Sequence, residues 1–296
     1  MVQAVAPAMI DDATIERSPG YWSTVWRRFR RDPVAMIALG VILLLILIAI
    51  LAPYIAPHDP FRGMTLRRLR PPGTPGHWLG TDELGRDMLS RLIYGARLSL
   101  FMGVTPVFFA LFIGSVIGIT AGYVGGWVNS ILMRTIDIIF AFPSVLLAIA
   151  LSGAMGAGIV NGLISLTIVF IPPIARIAES VTTSVRGLDY VEAARASGAG
   201  GLSIVRKHVL GNVLGPIFVY AMSLIAVSMI LASGLSFLGL GVRPPEPEWG
   251  LMLNTLRTAL YTQPMLCALP GIMIFITSIS FNLLTDGLRS AMDIKA

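Results

Sequence analysis

Residues that commonly perform catalysis or bind metal ions are few in this sequence and are widely separated along it. The three histidines, His58, His77 and His208, are isolated and lack the i, i+4 spacing that binds zinc on a helix. Cys267 is the single cysteine, so the chain can form neither an intramolecular disulfide nor a cysteine metal site. The sequence therefore predicts no catalytic residue, no metal ion and no cofactor in this chain.

Motifs for nucleophilic catalysis and nucleotide binding are also missing from the sequence. The G-x-S-x-G nucleophile elbow fails at Leu238, where the closing glycine would have to stand. A phosphate-binding loop needs a lysine followed by Ser or Thr, and neither Lys207 nor Lys295 is followed by either. If nucleotide hydrolysis powers this protein, we expect another chain to perform it.

The most informative polar segment begins at Asp189 and is predicted to form a short capped helix. Asp189 can cap the N-terminus, and Glu192 three residues later can return the bond. Alanines follow, which favour a helix, and Gly198 can take the left-handed conformation that ends one. The segment predicts a helix with a small-residue surface that a partner could approach closely.

A second amphipathic run, residues 202–210, follows this helix. Leu202, Val205 and Val209 are predicted to share one face, with Arg206 and Lys207 turned away from it. Two short surface helices would form a projection suited to a partner's groove. An ordinary polar loop with one capped helix is the alternative interpretation of the same residues.

Long apolar segments must position these residues. The chain has 296 residues, of which 55% are hydrophobic and 13% charged, with a mean hydropathy of +0.79; a soluble domain is about 25% charged. Several apolar runs reach the roughly 20 residues that a helix needs to cross the hydrocarbon core. The net charge of +6 is explained by lipid headgroups and topology rather than by nucleic acid.

We therefore predict an all-α polytopic membrane protein with about six transmembrane helices. The predicted spans lie near residues 34–54, 99–123, 131–152, 159–178, 213–234 and 265–285. The domains are a cytoplasmic N-terminal segment 1–32, a first transmembrane helix 33–56, a periplasmic loop 57–98 with an interfacial helix, a five-helix core 99–286 with a cytoplasmic coupling loop 179–212, and a cytoplasmic tail 287–296. Four arginines within residues 27–31 indicate that the N-terminus is cytoplasmic.

Glycines at a spacing of four predict a helix-packing face in the second span. They are Gly114, Gly118, Gly122 and Gly126, and in lipid such small residues let helix backbones approach closely. A contact within the chain is a simpler interpretation than a subunit interface.

Ionisable residues at span depth are scarce, which argues against ion-coupled transport. We interpret Arg134 with Asp137, and Arg176 with Glu179, as local pairs near the cytoplasmic ends of their helices. A proton-coupled or sodium-coupled transporter is expected to carry a buried carboxylate or histidine near the midplane, and none is found. A self-sufficient channel or secondary transporter stays the rival class, and a membrane-embedded enzyme lacks the residues it would need.

Two motifs resemble those of known permeases. Glu192, Ala193, Ala194 and Gly198 match the E-A-A-x-x-x-G motif of permease subunits in bacterial ABC importers. The resemblance implies that this loop docks into the nucleotide-binding subunit, with a coupling set of Asp189, Glu192, Ala193, Ala194, Arg195, Gly198 and Leu202. Gly211 replaces the proline that usually follows in that family, so the entry into the fifth span is expected to be looser.

The segment from Gly80 to Leu100 resembles the second permease subunit of dipeptide and oligopeptide importers. Its carrying residues include the run from Gly80 to Asp87, then Ser90-Arg91. Asp82 with Arg86, and Asp87 with Arg91, are predicted to form i, i+4 pairs on a short interfacial helix.

This resemblance implies a MetI-like ABC importer permease fold in the bacterial inner membrane. It implies a second homologous permease subunit, two ATP-binding subunits that hold the ATP and Mg²⁺, a periplasmic or lipid-anchored solute-binding protein, and surrounding membrane lipids. The implied function is alternating access for dipeptides or short oligopeptides. Glutathione and nickel are alternative substrates of the same architecture.

Overall fold

The computed structural model describes residues 21–292, so part of the predicted N-terminal segment and part of the tail lie outside the described residues. The described chain is helical, apart from the mostly irregular segment 56–87, which contains two isolated β-bridges, and shorter connections between the other helices. The helices are α1 (Tyr21–Phe29), α2 (Pro33–Ile55), α3 (Met88–Val124), α4 (Gly126–Phe140), α5 (Ser144–Met155), α6 (Ile159–Arg186), α7 (Asp189–Ala196), α8 (Gly201–Ile204), α9 (Leu210–Phe237), α10 (Trp249–Leu256) and α11 (Pro264–Met292).

Five helices within residues 21–292 are long and apolar enough to cross a membrane. They are α2, α3, α6, the run Gly201–Phe237 that contains α9, and α11; the pair α4–α5 brings the number of possible crossings to six. The sequence predicts one continuous span over 131–152, and this is wrong. The two helices meet at an angle of 85°, because Pro143 between them has no backbone N–H and disfavours helix in the residue before it.

Three helices extend further than predicted, and the polar loops are correspondingly shorter. Helix α3 begins at Met88, α6 continues to Arg186, and the fifth span starts at Gly201. The predicted interfacial helix around residues 80–91 is wrong, since residues 80–87 form turns. Asp87 ends those turns as the N-cap of α3, where its side chain accepts from the backbone N of Ser90 at 2.8 Å.

Helices α3 and α6 form a close packing contact through glycine. A Cβ added at Gly118 would collide with the carbonyl oxygen of Ala175, and one at Gly122 would lie 2.7 Å from the carbonyl oxygen of Glu179. Gly114 faces α6 in the same way. Gly126 does not share this face, contrary to the prediction: it begins α4 with φ +52° and has no atom within 4 Å of an added Cβ.

Helix α9 lies at the centre of the bundle and packs against α3, α6 and α11. Helix α2 packs against α11 and α3 through one stripe of small and aliphatic residues that includes Ala35, Ala38 and Ile42. Its other faces expose large aliphatic side chains such as Ile37 and Ile50, as expected for a helix in contact with lipid.

Candidate functional site

The residues of the predicted coupling set form a small projection between α6 and α9. We call residues 187–203 the knob; it comprises α7, the linker after it and the start of α8. Val191 of α7 is fully buried beneath the knob, and Ile204 just beyond it is 1% exposed. These two side chains anchor a segment whose remaining residues are mostly exposed.

The N-terminus of α7 presents two exposed carboxylates. The predicted capping box is wrong, because Leu188 occupies the N-cap position without a side-chain bond and Asp189 is the first helical residue. Asp189 and Glu192 both lie in the first turn, where negative charge is favourable next to the helix dipole. Neither carboxylate makes a hydrogen bond or salt bridge to another described residue, so both are available to a partner.

The C-terminus of α7 ends in a Schellman motif built on Gly198. The backbone N of Ala199 donates to the carbonyl of Ala194 at 3.1 Å, and that of Gly198 donates to Arg195 at 3.0 Å. Gly198 has φ +79°, which confirms the predicted left-handed conformation. An added Cβ at Gly198 meets no atom within 4 Å, so glycine is required here by the backbone conformation and not by lack of space.

The outer surface of the knob consists of small, charged and apolar residues together. Ala193, Arg195 and Gly198 are exposed and Ala194 is half-buried. Leu202 is 84% exposed whereas Val209 is fully buried, so the prediction that these two residues share one face with Val205 is wrong. The π-helical turn Val205–Val209 shifts the helical phase, and Ile204 takes the buried position instead.

The knob is connected rigidly to the transmembrane bundle at both ends. Only Gly187 and Leu188 separate α6 from α7, and α8 continues through the π-helical turn into α9. The hydroxyl of Tyr190 accepts from Asn212 Nδ2 at 2.9 Å, which braces α7 against the start of α9. Sequence reasoning missed this contact, since neither residue belongs to a recognisable motif.

A second cluster of charges lies in the segment 56–87, which we call the α2–α3 loop, and at the start of α3. Asp82 Oδ2 lies 2.5 Å from Arg86 Nε and 3.2 Å from Arg91 Nε. The predicted Asp82–Arg86 pair therefore exists, but on a turn and not on a helix. The predicted Asp87–Arg91 pair does not form, because Asp87 faces His77 and Ser90.

Arg91 joins the α2–α3 loop to the segment that follows α9. Its Nη1 donates to the carbonyl oxygens of Pro60 at 2.9 Å and Pro245 at 3.3 Å, while its side chain is 2% exposed. Trp249 lies close by, fully buried, and its Nε1 donates to the carbonyl of Leu92 at 3.0 Å. These bonds fix the non-helical segments on this side of the bundle.

Two of the histidines are not isolated, contrary to the sequence interpretation. The rings of His58 and His77 lie 4.9 Å apart between centroids, and both are next to Asp87. Burial raises the pKa of Asp87, but hydrogen bonds from His77 and Ser90 lower it more, so its pKa lies below the ordinary value. The carboxylate is therefore ionised at neutral pH.

An exposed ion pair crosses between α4 and α6. Arg176 Nη2 lies 2.6 Å from Asp137 Oδ1, and both side chains are about half exposed, 47% and 52%. The guanidinium also lies 4.6 Å from the ring centroid of Phe140. The local pairs predicted within each helix do not form, since Glu179 accepts from Asn129 instead.

Comparison with known proteins identifies the family to which this arrangement belongs. Residues 114–295 match the model described as "Binding-protein-dependent transport system inner membrane component". The chain belongs to this family. Residues 20–72 also match the N-terminal transmembrane domain of oligopeptide transport permease C, so this permease carries both parts of the oligopeptide-type architecture, and its predicted family and multi-pass inner-membrane location are confirmed.

Curated relatives resemble this permease over nearly its whole length. The glutathione transport system permease protein GsiD of Pectobacterium atrosepticum is 42% identical over 99% of this chain and 96% of its own. The protein of the same name in Escherichia coli is 43% identical over 93% of this chain and 90% of its own. The prediction of an ABC importer permease is confirmed at the level of this family.

A solved structure supports the fold. The MetNI methionine ABC transporter in an inward-facing conformation matches with a TM-score of 0.53 and 18% identity, over 68% of this chain and 97% of the other. The predicted all-α, MetI-like permease fold is confirmed.

Proposed function

We propose that this permease is one of two membrane subunits in an importer for glutathione or peptides of similar size. The observation that carries the substrate is the 42% and 43% identity to proteins named glutathione transport permeases. The sequence motifs alone favour dipeptides, with glutathione as the alternative, and the relatives reverse that preference. The substrate passes through unchanged, and this chain supplies no catalytic group or cofactor.

The knob is the proposed contact with a separate ATP-hydrolysing subunit. Its two unpaired carboxylates, its small outer residues and its anchoring through Val191 support a surface built for another chain. Because the knob joins α6 directly to the fifth span, a displacement of the knob would move both helices together. That coupling is the basis of alternating access, in which a two-state bundle is biased from outside the membrane.

The orientation and the subunit contacts are part of the same proposal. We place the N-terminus and the knob in the cytoplasm, the α2–α3 loop in the periplasm, and a homologous permease across the passage. Arginines at positions 27, 28, 30 and 31 support this orientation by the positive-inside rule. A solute-binding protein would deliver substrate on the periplasmic side.

The exposed pair Asp137–Arg176 marks a candidate wall of the passage. Charged groups inside a span are costly in lipid and normally face a partner or a watery cavity. Glutathione carries two carboxylates and one ammonium group, so a guanidinium and a carboxylate held together could bind both charge types. Neighbouring residues of α4 and α5 are exposed and mostly apolar, which suits a passage that releases its substrate.

Transport by the complete assembly in proteoliposomes tests this function. We expect ATP-dependent uptake of labelled glutathione, competed more strongly by glutathione than by dipeptides, and no uptake without ATP. Uptake by this chain alone would contradict the proposal of an ATP-driven subunit. Stronger competition by dipeptides would overturn the substrate and leave the ATP-driven mechanism standing.

The passage wall has its own test. We expect Arg176→Gln to reduce glutathione uptake by about tenfold, the effect of losing a charge-assisted contact. Arg134→Gln, which removes an exposed arginine from α4, serves as the control and should leave uptake within about twofold. Equal effects of the two substitutions would exclude a specific role for the ion pair.

A further inference from the structure

Three potential metal ligands meet in the α2–α3 loop although they are far apart in sequence. His77 Nδ1 lies 2.9 Å from Asp87 Oδ1, and His58 Nδ1 lies 3.7 Å from Asp87 Oδ2. One ligand atom from each of the three residues lies within 4.8 Å of the other two. Two imidazoles and one carboxylate form a set of donors that zinc commonly takes in proteins.

The spacing of these atoms is close to that of a tetrahedral site. With tetrahedral bonds of about 2.0–2.2 Å, two ligand atoms of one zinc ion lie about 3.3–3.6 Å apart. The two distances to Asp87 fall on either side of that range and end on different oxygens of the carboxylate, Oδ1 for His77 and Oδ2 for His58. To complete the site, the His58 ring would move closer to Asp87, and its side chain is 45% exposed and has room to do so. The same exposure leaves a fourth position open to water or to another ligand.

The ligand positions are held by bonds that do not involve a metal ion. Ser90 donates to Asp87 Oδ2 from its backbone N at 2.8 Å and from its hydroxyl at 2.7 Å. The same hydroxyl accepts from the backbone N of His58 at 2.9 Å. The backbone N of His77 donates to the carbonyl of Thr74 at 2.8 Å. A metal ion would thus meet a largely formed site.

The charge of Asp87 supplies the reason for a cation at this point. Its side chain is 2% exposed, and a buried carboxylate is costly unless it is paired. Asp82, equally buried, is paired with two arginines, whereas within residues 21–292 Asp87 has only the two histidines as ion-pair partners. A divalent ion ligated by neutral imidazoles would balance this carboxylate.

We propose that His58, His77 and Asp87 bind one divalent transition-metal ion, with Zn²⁺ as the best match. The ion would fasten the start of the α2–α3 loop, at His58, and a later point in the loop, at His77, to the N-cap residue of α3. Its role would be to rigidify this face of the permease. The proposal does not depend on which peptide is transported.

Zinc binding to the purified transporter assembly tests this proposal, using Zn²⁺ itself as the probe. After chelator treatment and equilibrium dialysis at micromolar free Zn²⁺, we compare bound zinc in the wild type, His58→Gln, His77→Gln and His208→Gln. His208 lies near the knob and serves as the matched control. We expect the first two variants to hold one zinc fewer per permease chain than the wild type, and the control to match the wild type.

A second measurement separates ligation from folding. Because His58 is partly exposed, its replacement should leave the assembly intact without metal. Added Zn²⁺ should raise the thermal midpoint of the wild type and of the His208→Gln variant, and not that of His58→Gln. Equal zinc content in all variants, or an equal rise in midpoint for all of them, would overturn the proposal in favour of a hydrogen-bonded His–Asp cluster without metal.

Discussion

The knob and the α2–α3 loop are both marked by charged motifs, yet they are built in opposite ways. In the knob, Asp189 and Glu192 are exposed and bond to no other described residue. In the α2–α3 loop, Asp82 is 2% exposed and contacts two arginines. The first arrangement leaves charge available to another protein, and the second uses it to hold the chain itself. Burial, more than residue type, separates these two roles.

Single glycines in the knob and in α3 serve different structural purposes. Gly198 in the knob has open space around it and an unusual backbone angle. Gly95, in the first turns of α3, has ordinary helical geometry, and a Cβ there would lie 2.7 Å from the Trp249 ring. Glycine provides a sharp turn at position 198 and close packing at position 95.

The largest loss of stability is expected from removing the carboxylate of Asp82. Asp82→Ala would leave Arg91 buried without its carboxylate partner and Arg86 with Glu83 alone, and breaking a buried pair costs about 3–5 kcal/mol. Asp59→Ala removes one member of the exposed Arg62–Asp59 pair, whose contribution is about 0–1 kcal/mol. Thermal unfolding of both variants in detergent measures this contrast. Similar midpoints would mean that the buried network adds little.

A smaller loss of stability is expected from a substitution at the contact between α3 and α6. Gly118→Ala places a methyl group against the Ala175 carbonyl of α6, and overpacking of this kind costs about 1–3 kcal/mol. Gly40→Ala in α2 meets no atom within 4 Å and should be neutral or slightly stabilising. The same thermal assay compares the two. An unaffected Gly118→Ala variant would show that α3 and α6 can separate freely.

A still smaller loss of stability is expected from a substitution in the knob itself. Gly198→Val forces a β-branched residue into the left-handed region at φ +79°, at a cost of about 1–2 kcal/mol. Gly211→Val is the control, because Gly211 lies outside the knob on α9 and an added Cβ there meets no atom within 4 Å. We expect the first substitution to reduce ATP-driven transport and the second to preserve it. Equal transport by the two variants would exclude a requirement for the Schellman turn.

The smallest effect on stability is expected where the functional effect is strong. Glu192→Lys reverses an exposed charge in the first turn of α7, so the free energy of unfolding should fall by no more than about 1 kcal/mol. Substrate-stimulated ATP hydrolysis should fall about tenfold or more if the knob carries the coupling. Ser184→Lys, exposed on α6 just before the knob, tests whether any added positive charge has this effect. Unchanged coupling in Glu192→Lys would remove the knob from the mechanism.

Much of the fold could be predicted from sequence because it follows from hydrophobic length. Spans of apolar residues must be helical in lipid, and α2 occupies almost the predicted range. The ends of α3 and α6 could not be predicted, since their polar turns are stabilised by contacts with other segments. In the sequence, the break between α4 and α5 is marked only by Pro143. Transmembrane helices also tolerate proline without such a bend, so the break could not be predicted.

The coupling motif in the knob and the histidine cluster in the α2–α3 loop differed in how well they could be predicted from sequence. The coupling motif could be found because its residues are contiguous, and the left-handed Gly198 followed from its type. The cap at Asp189 was wrong because the chain turns one residue earlier, at Leu188. The meeting of His58, His77 and Asp87 could not be foreseen, because it depends on the path of the α2–α3 loop.

The fifth span is continuous with the outer end of the knob. This run, Gly201–Phe237, has 37 residues and is therefore about 55 Å long at 1.5 Å per residue. Over such a rod, a tilt of about 5° at one end displaces the other by about 5 Å. That far end leads into the irregular segment whose carbonyls accept hydrogen bonds from Arg91. In the proposed orientation, a small displacement of the knob on the cytoplasmic side would therefore move this segment on the periplasmic side.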